Sequence, residues 1–154
     1  MSEVTNEVTN KKQLTKNDLI RCFIIWEGTT ECCLSYERLM SLGFCHAMTP
    51  IINRLYADDK EARIQALRRH MTFFNTENNW GAFIPGLVAS MVEDMANGGN
   101  TDEDMIKNIK VGLMGPLAGI GDTTTQGLAK TVALAIGVDM TLQGGALGPI
   151  VFCL

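Results

Sequence analysis

The side chains in this sequence that could best bind a ligand or take part in chemistry are polar groups that stand in apolar surroundings. Carboxylates and amides are costly to bury unless a partner satisfies them, so their presence there indicates a polar ligand or an ion pathway. A sugar would suit such a set, because one carboxylate or carboxamide side chain can form hydrogen bonds to two sugar hydroxyl groups at once. The main candidates for binding a polar ligand are Asp122 and Glu37, and the further candidates are Glu31, Asn75 and Thr76.

Asp122 ends the tetrapeptide Gly119-Ile-Gly-Asp122, which allows three other interpretations. In intramembrane aspartyl proteases the same pattern holds one of two catalytic acids, but the usual second acid, an Asp after Tyr in an apolar helix, is missing here. A phosphate-binding loop needs Lys and then Ser or Thr after its last glycine, whereas Asp122 would repel phosphate. Asp122 could also cap the next helix, with Thr123, Thr124 and Thr125 in its first turn. The capping role and the ligand-binding role both remain open.

Metal and nucleophile chemistry have little support in the sequence. Neither His46 nor His70 has a second His or Cys at zinc-ligand spacing, so each is predicted to be structural or surface-exposed. No metal and no cofactor is expected. The five cysteines form no Cys-x-x-Cys pair, and Cys32 adjoins Cys33, which is typical of reduced thiols rather than of a disulfide framework.

The elements that must position these groups differ in charge between the two halves of the chain. Residues 1–77 hold ten acidic and ten basic residues, and residues 78–154 hold seven and three. From Val111 to Leu154 only Asp122, Lys130 and Asp139 are charged, which is too few for an ordinary soluble surface. The surface of the second half is therefore predicted to be covered, by other protein or by lipid. The net charge of −4 of the whole chain argues against a nucleic-acid-binding face.

Glycine is concentrated in the same region, where 13 of the 15 glycines lie between Gly81 and Gly148. No segment offers the roughly 18 uncharged, mostly apolar residues of a plain transmembrane helix. Apolar stretches broken by Gly and Pro are typical of discontinuous or re-entrant membrane helices that protein shields from lipid. A soluble core with glycine-rich turns would have the same composition.

Residues 1–14 are polar, lack a secretory signal and are predicted to be a disordered tail. Thr15-x-x-Asp18 predicts a helix start, and the amphipathic helix that follows places Leu19, Cys22, Phe23 and Trp26 on one face. Such a helix could lie in a membrane interface with Trp26 at headgroup depth, or it could pack on a soluble core.

Further helices are predicted along the whole chain, and no β-alternation of useful length occurs. One ends near Gly43, and Pro50 starts another short one. The next covers Glu61–Phe74, is capped by Asp58 or Asp59, and carries a basic face of Arg63, Arg68, Arg69 and His70. Another covers Trp80–Asn97 and closes at Gly98-Gly99, and a last start lies at Thr101–Asp104. The predicted fold class is all-α.

Several stretches of the chain resemble the IID membrane subunit of the mannose/fructose/sorbose family of the bacterial sugar phosphotransferase system. They are Tyr36-Glu-Arg38 with Leu42-Gly-Phe44, Arg69-His70-x-x-Phe73-Phe74-Asn75-Thr76, and above all the run from Lys110 to Asp122. The resemblance begins at about Leu14 and continues to the end of the chain. It identifies residues 15–154 as the N-terminal part of a IID-type membrane domain that is truncated at Leu154.

The resemblance implies a function and its partners. A IID subunit forms, with a IIC membrane subunit, the channel for a sugar of the mannose, fructose, sorbose or amino-sugar class, which cytoplasmic IIA and IIB proteins phosphorylate on entry. The chain would then be no enzyme by itself, and it would lie in the lipid bilayer of the bacterial inner membrane with its N-terminus in the cytoplasm. The alternative is a truncated helical interaction protein that docks on the membrane or on the partner subunit without transporting.

Two departures from the family pattern leave the sugar undefined. Residues 31–35 replace the Gln, Trp and Asn that the family usually has before the Tyr-Glu-Arg motif, and Thr124 and Thr125 stand where a bulky apolar residue is usual. If the first segment helps to select the sugar, specificity cannot be transferred from the family to this chain.

Overall fold

The computed structural model of the chain describes residues 11–144 and 148–153. Its helices are α1 Lys16–Thr29, α2 Ser41–Leu55, α3 Lys60–His70, α4 Asn78–Gly81, α5 Phe83–Ala96, α6 Glu103–Gly121, α7 Lys130–Leu142 and α8 Gly148–Cys153. A stretch of π-helix, Asp122–Ala129, called the π segment below, joins α6 to α7. Within the described residues β-structure is limited to two isolated bridges, so the all-α prediction is confirmed.

The predicted helix starts are confirmed where a side chain caps the helix. The Thr15 hydroxyl accepts from the Asp18 backbone N–H while the Asp18 carboxylate accepts from the Thr15 N–H, which makes the capping box complete. Asp59 caps α3 and Asp102 caps α6 in the same way, each through its own carboxylate. These caps satisfy backbone donors that the first helical turn leaves free.

The predictions for the second helix are wrong. Residues 31–40 form turns rather than a helix, and α2 runs from Ser41 through Pro50 to Leu55 without interruption. Pro50 lacks the N–H that an interior helical position normally donates, which destabilises the helix. The apolar face that α2 buries outweighs this loss, because each fully buried large side chain contributes roughly 1.5–3 kcal/mol. The buried residues of that face include Phe44, Met48, Ile51, Ile52 and Leu55.

The core lies where α2 packs against α1, α3 and α5, with α6 packed on α4 and α5. At its centre the fully buried Trp26 ring makes edge contacts with Phe44 and Phe74, at centroid distances of 6.0 and 6.1 Å. Of the two placements expected for this helix, the structure shows Trp26 packed within a core, where its ring is enclosed by protein. Leu19 and Phe23, expected on the same face as Trp26, are exposed instead.

Part of the predicted N-terminal tail, residues 1–10, lies outside the described residues. The segment that follows is held against the C-terminal end of α5. The Lys12 backbone N–H donates to Asn97 Oδ1 at 2.8 Å, and the Leu14 backbone N–H donates to Glu93 Oε1 at 2.7 Å. Gly98 stands just after α5 with a φ of +73°, as the predicted helix stop requires.

The π segment and α7 extend α6 without a break, and Pro116 lies inside α6. α7 packs on α8 and on the π segment, and Gly148 of α8 fits directly against the backbone of α7 at Gly137. Five large apolar side chains are about half exposed or more on this part of the chain: Leu128, Val132, Leu134, Ile136 and Val138. Among the described residues, none of the helices combines the length and the apolar content that a membrane crossing requires.

Candidate functional site

Two loops that carry candidate residues are joined through their backbones. The Met40 N–H donates to the Phe74 carbonyl at 2.9 Å, and the Phe74 N–H donates to the Arg38 carbonyl at 3.4 Å. This pairing places the loop between α1 and α2, which holds Glu31 and Glu37, beside the connection between α3 and α4, which holds Asn75 and Thr76. Four of the five predicted residues therefore lie on two adjoining loops at one side of the helical bundle.

The predicted side chains differ in how far a ligand could reach them. Glu31, Glu37, Asn75 and Asp122 are exposed, whereas Thr76 is 6% exposed. The Thr76 N–H donates to the Met40 sulfur at 3.4 Å, and the Thr76 hydroxyl has no hydrogen-bond partner among the described residues. Within the part of the chain that the structure describes, no hydrogen bond joins any two of these five side chains, so they do not form a closed network.

Asp122 is brought toward these loops by Glu77, which follows Thr76 directly. The Glu77 carboxylate caps α4, where its Oε2 accepts from the Trp80 N–H at 2.9 Å and its Oε1 accepts from the Asn79 side-chain amide at 2.9 Å. Gly121 lies against the same side chain, and Asp122 is the next residue. Glu77 therefore connects the loop of Asn75 and Thr76 to the start of the π segment.

Glu27, Glu31 and Glu77 form an acidic cluster that the sequence alone did not indicate as a group. Partial burial raises the pKa of the Glu27 carboxyl, and the nearby Glu77 and Glu31 carboxylates raise it further. The Asn78 side-chain amide donates to Glu27 Oε2 at 3.3 Å. Glu77 was not among the predicted site residues, because glutamate is not a preferred capping residue. Its position next to Asn75 and Thr76 was the signal that could have indicated it. Glu27 and Glu31, the exposed members of the cluster, offer acceptors to a ligand rich in hydroxyl groups.

Of the two roles left open for Asp122, the structure excludes the capping of a following helix. Asp122 has helical backbone angles, its N–H donates to the carbonyls of Ala118 and Gly119, and its side chain makes no capping hydrogen bond. Thr123 and Thr124 donate their hydroxyls to the Gly119 and Ile120 carbonyls, each at 2.7 Å, one turn back. Hydroxyls bonded in this way belong to the helix rather than to a ligand. The Asp122 carboxylate is left exposed at a local π-helix, a geometry frequent at functional sites.

A second polar feature lies inside the core, where the Lys110 ammonium stands over two aromatic rings. Lys110 is 3% exposed, and its Nζ lies 4.2 Å from the centroid of Phe44 and 5.4 Å from that of Phe74. Burial lowers the pKa of Lys110 to about 8. The spacing along the sequence was the one signal for the burial of Lys110. This lysine stands four residues after Ile106, which is buried, and so lies on the same face of the helix.

His70 adjoins this lysine and is fully buried, 5.5 Å from the Phe44 ring centroid. Burial, helped by the Lys110 and Arg69 charges, lowers the pKa of His70 to about 3. The structure confirms the structural role among the two predicted for His70, but the placement of His70 and Arg69 on an exposed basic face is wrong. The Arg69 side chain is mostly buried and paired with Glu103. An enclosed imidazole is out of reach of a phosphoryl donor in this conformation.

The other histidine, His46, is exposed, and its Nδ1 lies 3.2 Å from the Thr29 hydroxyl. Cys22 and Cys45 are buried thiols, and burial raises the pKa of Cys22 to about 11. Over residues 11–144 and 148–153 no three His, Cys, Asp or Glu side chains are grouped so that they could hold a metal ion.

The sequence of the chain is similar to that of known proteins over nearly its whole length. Residues 13–154 match the sequence model of the family described as the PTS system mannose/fructose/sorbose family IID component. The mannose-specific EIID component of Escherichia coli K12 is 42% identical over 151 residues, which cover 96% of this chain and 52% of that protein. The sorbose-specific EIID component of Klebsiella pneumoniae is 39% identical over 142 residues, which cover 92% and 51%. The chain spans about half the length of these relatives.

Solved structures show the same likeness in three dimensions. The electron cryomicroscopy structure of the mannose transporter ManYZ in complex with microcin E492 contains a chain that matches with a TM-score of 0.87 at 42% identity. The match covers 92% of this chain and 51% of that one. A second structure, described as a membrane protein, matches with a TM-score of 0.82.

Proposed function

Because the chain belongs to the IID component family of the mannose/fructose/sorbose phosphotransferase systems, we propose that it is the N-terminal part of a sugar permease subunit. In this proposal the subunit forms, with a IIC membrane subunit, the channel for a hexose-type sugar. The observation that carries the proposal is the family match over residues 13–154, together with the similar fold of a chain in the mannose transporter complex.

The distribution of apolar surface supports a location in the bacterial inner membrane, and we propose that the N-terminus faces the cytoplasm. α7 exposes apolar side chains on much of its surface, and from Val111 to Leu154 the chain has only three charged residues. Such a surface is stable in contact with lipid or with a partner subunit. The charged helices α1 and α3, by contrast, belong to a bundle with a core of its own.

We propose that the sugar path passes the side of the bundle where the two paired loops meet the start of the π segment. Asp122 and Glu37 are the main anchors in this proposal, with Glu31, Asn75 and Thr76 as further contacts. The exposure of four of these side chains and the acidic cluster beside them support it, because carboxylates and amides are the groups that bind sugar hydroxyls. No bond to phosphorus is made or broken on this chain.

Phosphorylation of the incoming sugar is assigned to cytoplasmic IIA and IIB proteins. The enclosure of the His70 ring supports that division of labour, since a phosphoryl carrier must expose a ring nitrogen to its donor. The chain would therefore contribute binding and passage, and the complex would contribute the reaction.

The experiment uses an Escherichia coli strain that lacks its own mannose-specific EIID component. One sample receives this chain as it stands, and a second receives residues 13–154 joined to the remaining portion of that relative. Uptake of labelled mannose, fructose and sorbose is measured, together with the membrane fraction of each protein. We expect the joined protein to be in the membrane and to restore uptake of at least one sugar.

A joined protein that reaches the membrane with its IIC partner but carries none of the three sugars would overturn the proposal. Recovery of the chain as a stable monomer without detergent would also count against it. If the chain alone binds the IIC subunit and restores no uptake, while the joined protein does, then the chain by itself is an interaction protein that docks without transporting.

A further inference from the structure

At Gly121 the backbone of α6 lies very close to a side chain of the connection between α3 and α4. A Cβ atom at this position would lie 2.5 Å from Glu77 Oε2, 2.6 Å from Glu77 Cβ and 2.7 Å from Glu77 Cγ. Separations of this size are well inside van der Waals contact, so position 121 admits only hydrogen while Glu77 stays in place. The backbone of α6 therefore rests directly on the Glu77 side chain.

Glu77 has little freedom to move away. It is 6% exposed, and both of its carboxylate oxygens are occupied by hydrogen bonds from Trp80 and Asn79. The short helix that it caps is itself fixed to α1, because the Trp26 indole N–H donates to the Asn78 carbonyl at 2.8 Å. A displaced Glu77 would leave α4 without its cap and a buried carboxylate without partners.

The other glycines of α6 show that this contact is specific. A Cβ atom at Gly112, Gly115 or Gly119 would meet no atom within 4 Å among the described residues. Gly121 is also where α-helical geometry ends, since the π segment begins at the next residue, Asp122. The contact with Glu77 therefore lies at the last residue of α6, directly before Asp122 and the π segment.

We infer that Glu77 is a positioning residue for Asp122: its side chain, seated against Gly121, sets where the Asp122 carboxylate lies relative to the paired loops. The inference rests on the proposed function, in which Asp122 faces the sugar. It assigns Glu77 no contact with the sugar. It predicts that changes in the Glu77–Gly121 contact act on sugar affinity through the position of Asp122.

The test uses the joined protein in the transporter complex and two independent readouts. Spin labels on the exposed positions Asn53 of α2 and Thr131 of α7 report the distance between the bundle and the helix that follows the π segment. Uptake kinetics report KM and the maximal rate separately. The variants are Gly121→Ala and, as the matched control on the same helix, Gly112→Ala, which has open space around it.

Gly121→Ala should shift the distance distribution between the labels and raise KM about tenfold, because a displacement of about 1 Å can cost up to about 100-fold in a positioned site. Gly112→Ala should leave both readouts at the wild-type value. An unchanged label distance and KM in Gly121→Ala would overturn the inference.

A second pair of variants keeps the inference testable if Gly121→Ala does not fold. Glu77→Gln keeps the length of the side chain and one acceptor, and should retain the wild-type distance and KM. Glu77→Ala removes the groups that touch Gly121 beyond Cβ, and should shift the distance and raise KM. Equal behaviour of the two variants would contradict the positioning role. If the wild-type protein carries no sugar, the proposed function fails, and the label distances alone decide the inference.

Discussion

The Lys110 ammonium nitrogen lies 4.2 Å from the centre of the Phe44 ring, in a place where no hydrogen-bond acceptor reaches it among the described residues. An aromatic face attracts a cation, by about 2 kcal/mol or more when both are desolvated. Moving an ammonium group out of water is nevertheless expensive, and burial of Lys110 lowers its pKa. The lysine therefore lowers the stability of the core that holds it.

Replacing Lys110 by Met should stabilise the chain at pH 7. The gain should be up to about 3 kcal/mol, which corresponds to moving the pKa from 10.5 to about 8 at ~1.4 kcal/mol per unit. Chemical denaturation of the purified chain in mild detergent measures it. Lys107→Met, on the exposed face of the same helix, is the control and should change the unfolding free energy by less than about 0.5 kcal/mol.

The same lysine predicts how stability depends on alkaline pH. The unfolded chain keeps the Lys110 proton up to about pH 10.5, whereas the folded chain releases it near pH 8. The unfolded state therefore binds more protons between these values, and the free energy of unfolding rises with pH across this window. Lys110→Met should lose this rise and Lys107→Met should keep it. A rise of equal size in all three proteins would show that Lys110 is not its source.

His70 predicts a loss of stability in acid. The pKa of His70 is about 3 in the folded chain and about 6.5 when unfolded, so the unfolded state takes up a proton first as the pH falls. The free energy of unfolding should therefore decrease between pH 6.5 and pH 3. His70→Phe should make this decrease smaller, as measured by denaturation midpoints across the window. His46→Gln, at the exposed histidine, should follow the wild-type slope.

A side chain at position 43 should destabilise the chain by steric overlap where the end of α1 meets α2. A Cβ atom there would lie 2.6 Å from the Thr30 Cα and 2.9 Å from the Thr30 carbonyl oxygen, and a backbone cannot swing aside as a side chain can. Gly43→Ala should destabilise the chain by about 1–3 kcal/mol. Gly28→Ala, a helical position with open space, should leave stability unchanged or raise it by up to about 1 kcal/mol. Comparable melting temperatures for both variants would contradict the contact.

Asp122→Asn tests the proposed sugar contact in the joined protein. The substitution preserves shape and removes the charge, and the loss of a hydrogen bond to a charged group costs about 1.5–3 kcal/mol. The KM for sugar uptake should therefore rise by about tenfold or more. Asp139→Asn changes an exposed aspartate of α7 and should leave KM unchanged. Uptake at the wild-type level in Asp122→Asn would remove this residue from the sugar path.

The sequence predicted the elements whose signals are local. The Thr15 capping box, the Asp59 cap, the helix start within residues 101–104 and the helix stop at Gly98 each depend on a few neighbouring residues, and the structure confirms all four. Pro50 was misread because the local rule places proline at the start of a helix. Tertiary burial of the α2 face overrides that rule, and no single window of the sequence contains that information.

The candidate site was harder to predict, since it depends on contacts between distant segments. Nothing in the sequence indicates that Arg38 and Phe74 pair through their backbones, or that Gly121 rests on Glu77. His70 was assigned to the basic face of α3 because its neighbours are arginines, but the residue that decides its environment is Lys110 of α6. The roles of the five predicted sugar-contact residues remain predictions.

The pairing of Arg38 and Met40 with Phe74 uses main-chain atoms only. Because these bonds involve no side-chain atoms, the exposed side chains of Glu31, Glu37 and Asn75 can be exchanged without removing a bond that joins the two loops. In such an arrangement the backbone bonds hold the loops together, and other groups, the exposed side chains, are available to contact a ligand. A family built on it could change the sugar that it accepts by altering loop side chains alone, while the aromatic core beneath stayed the same.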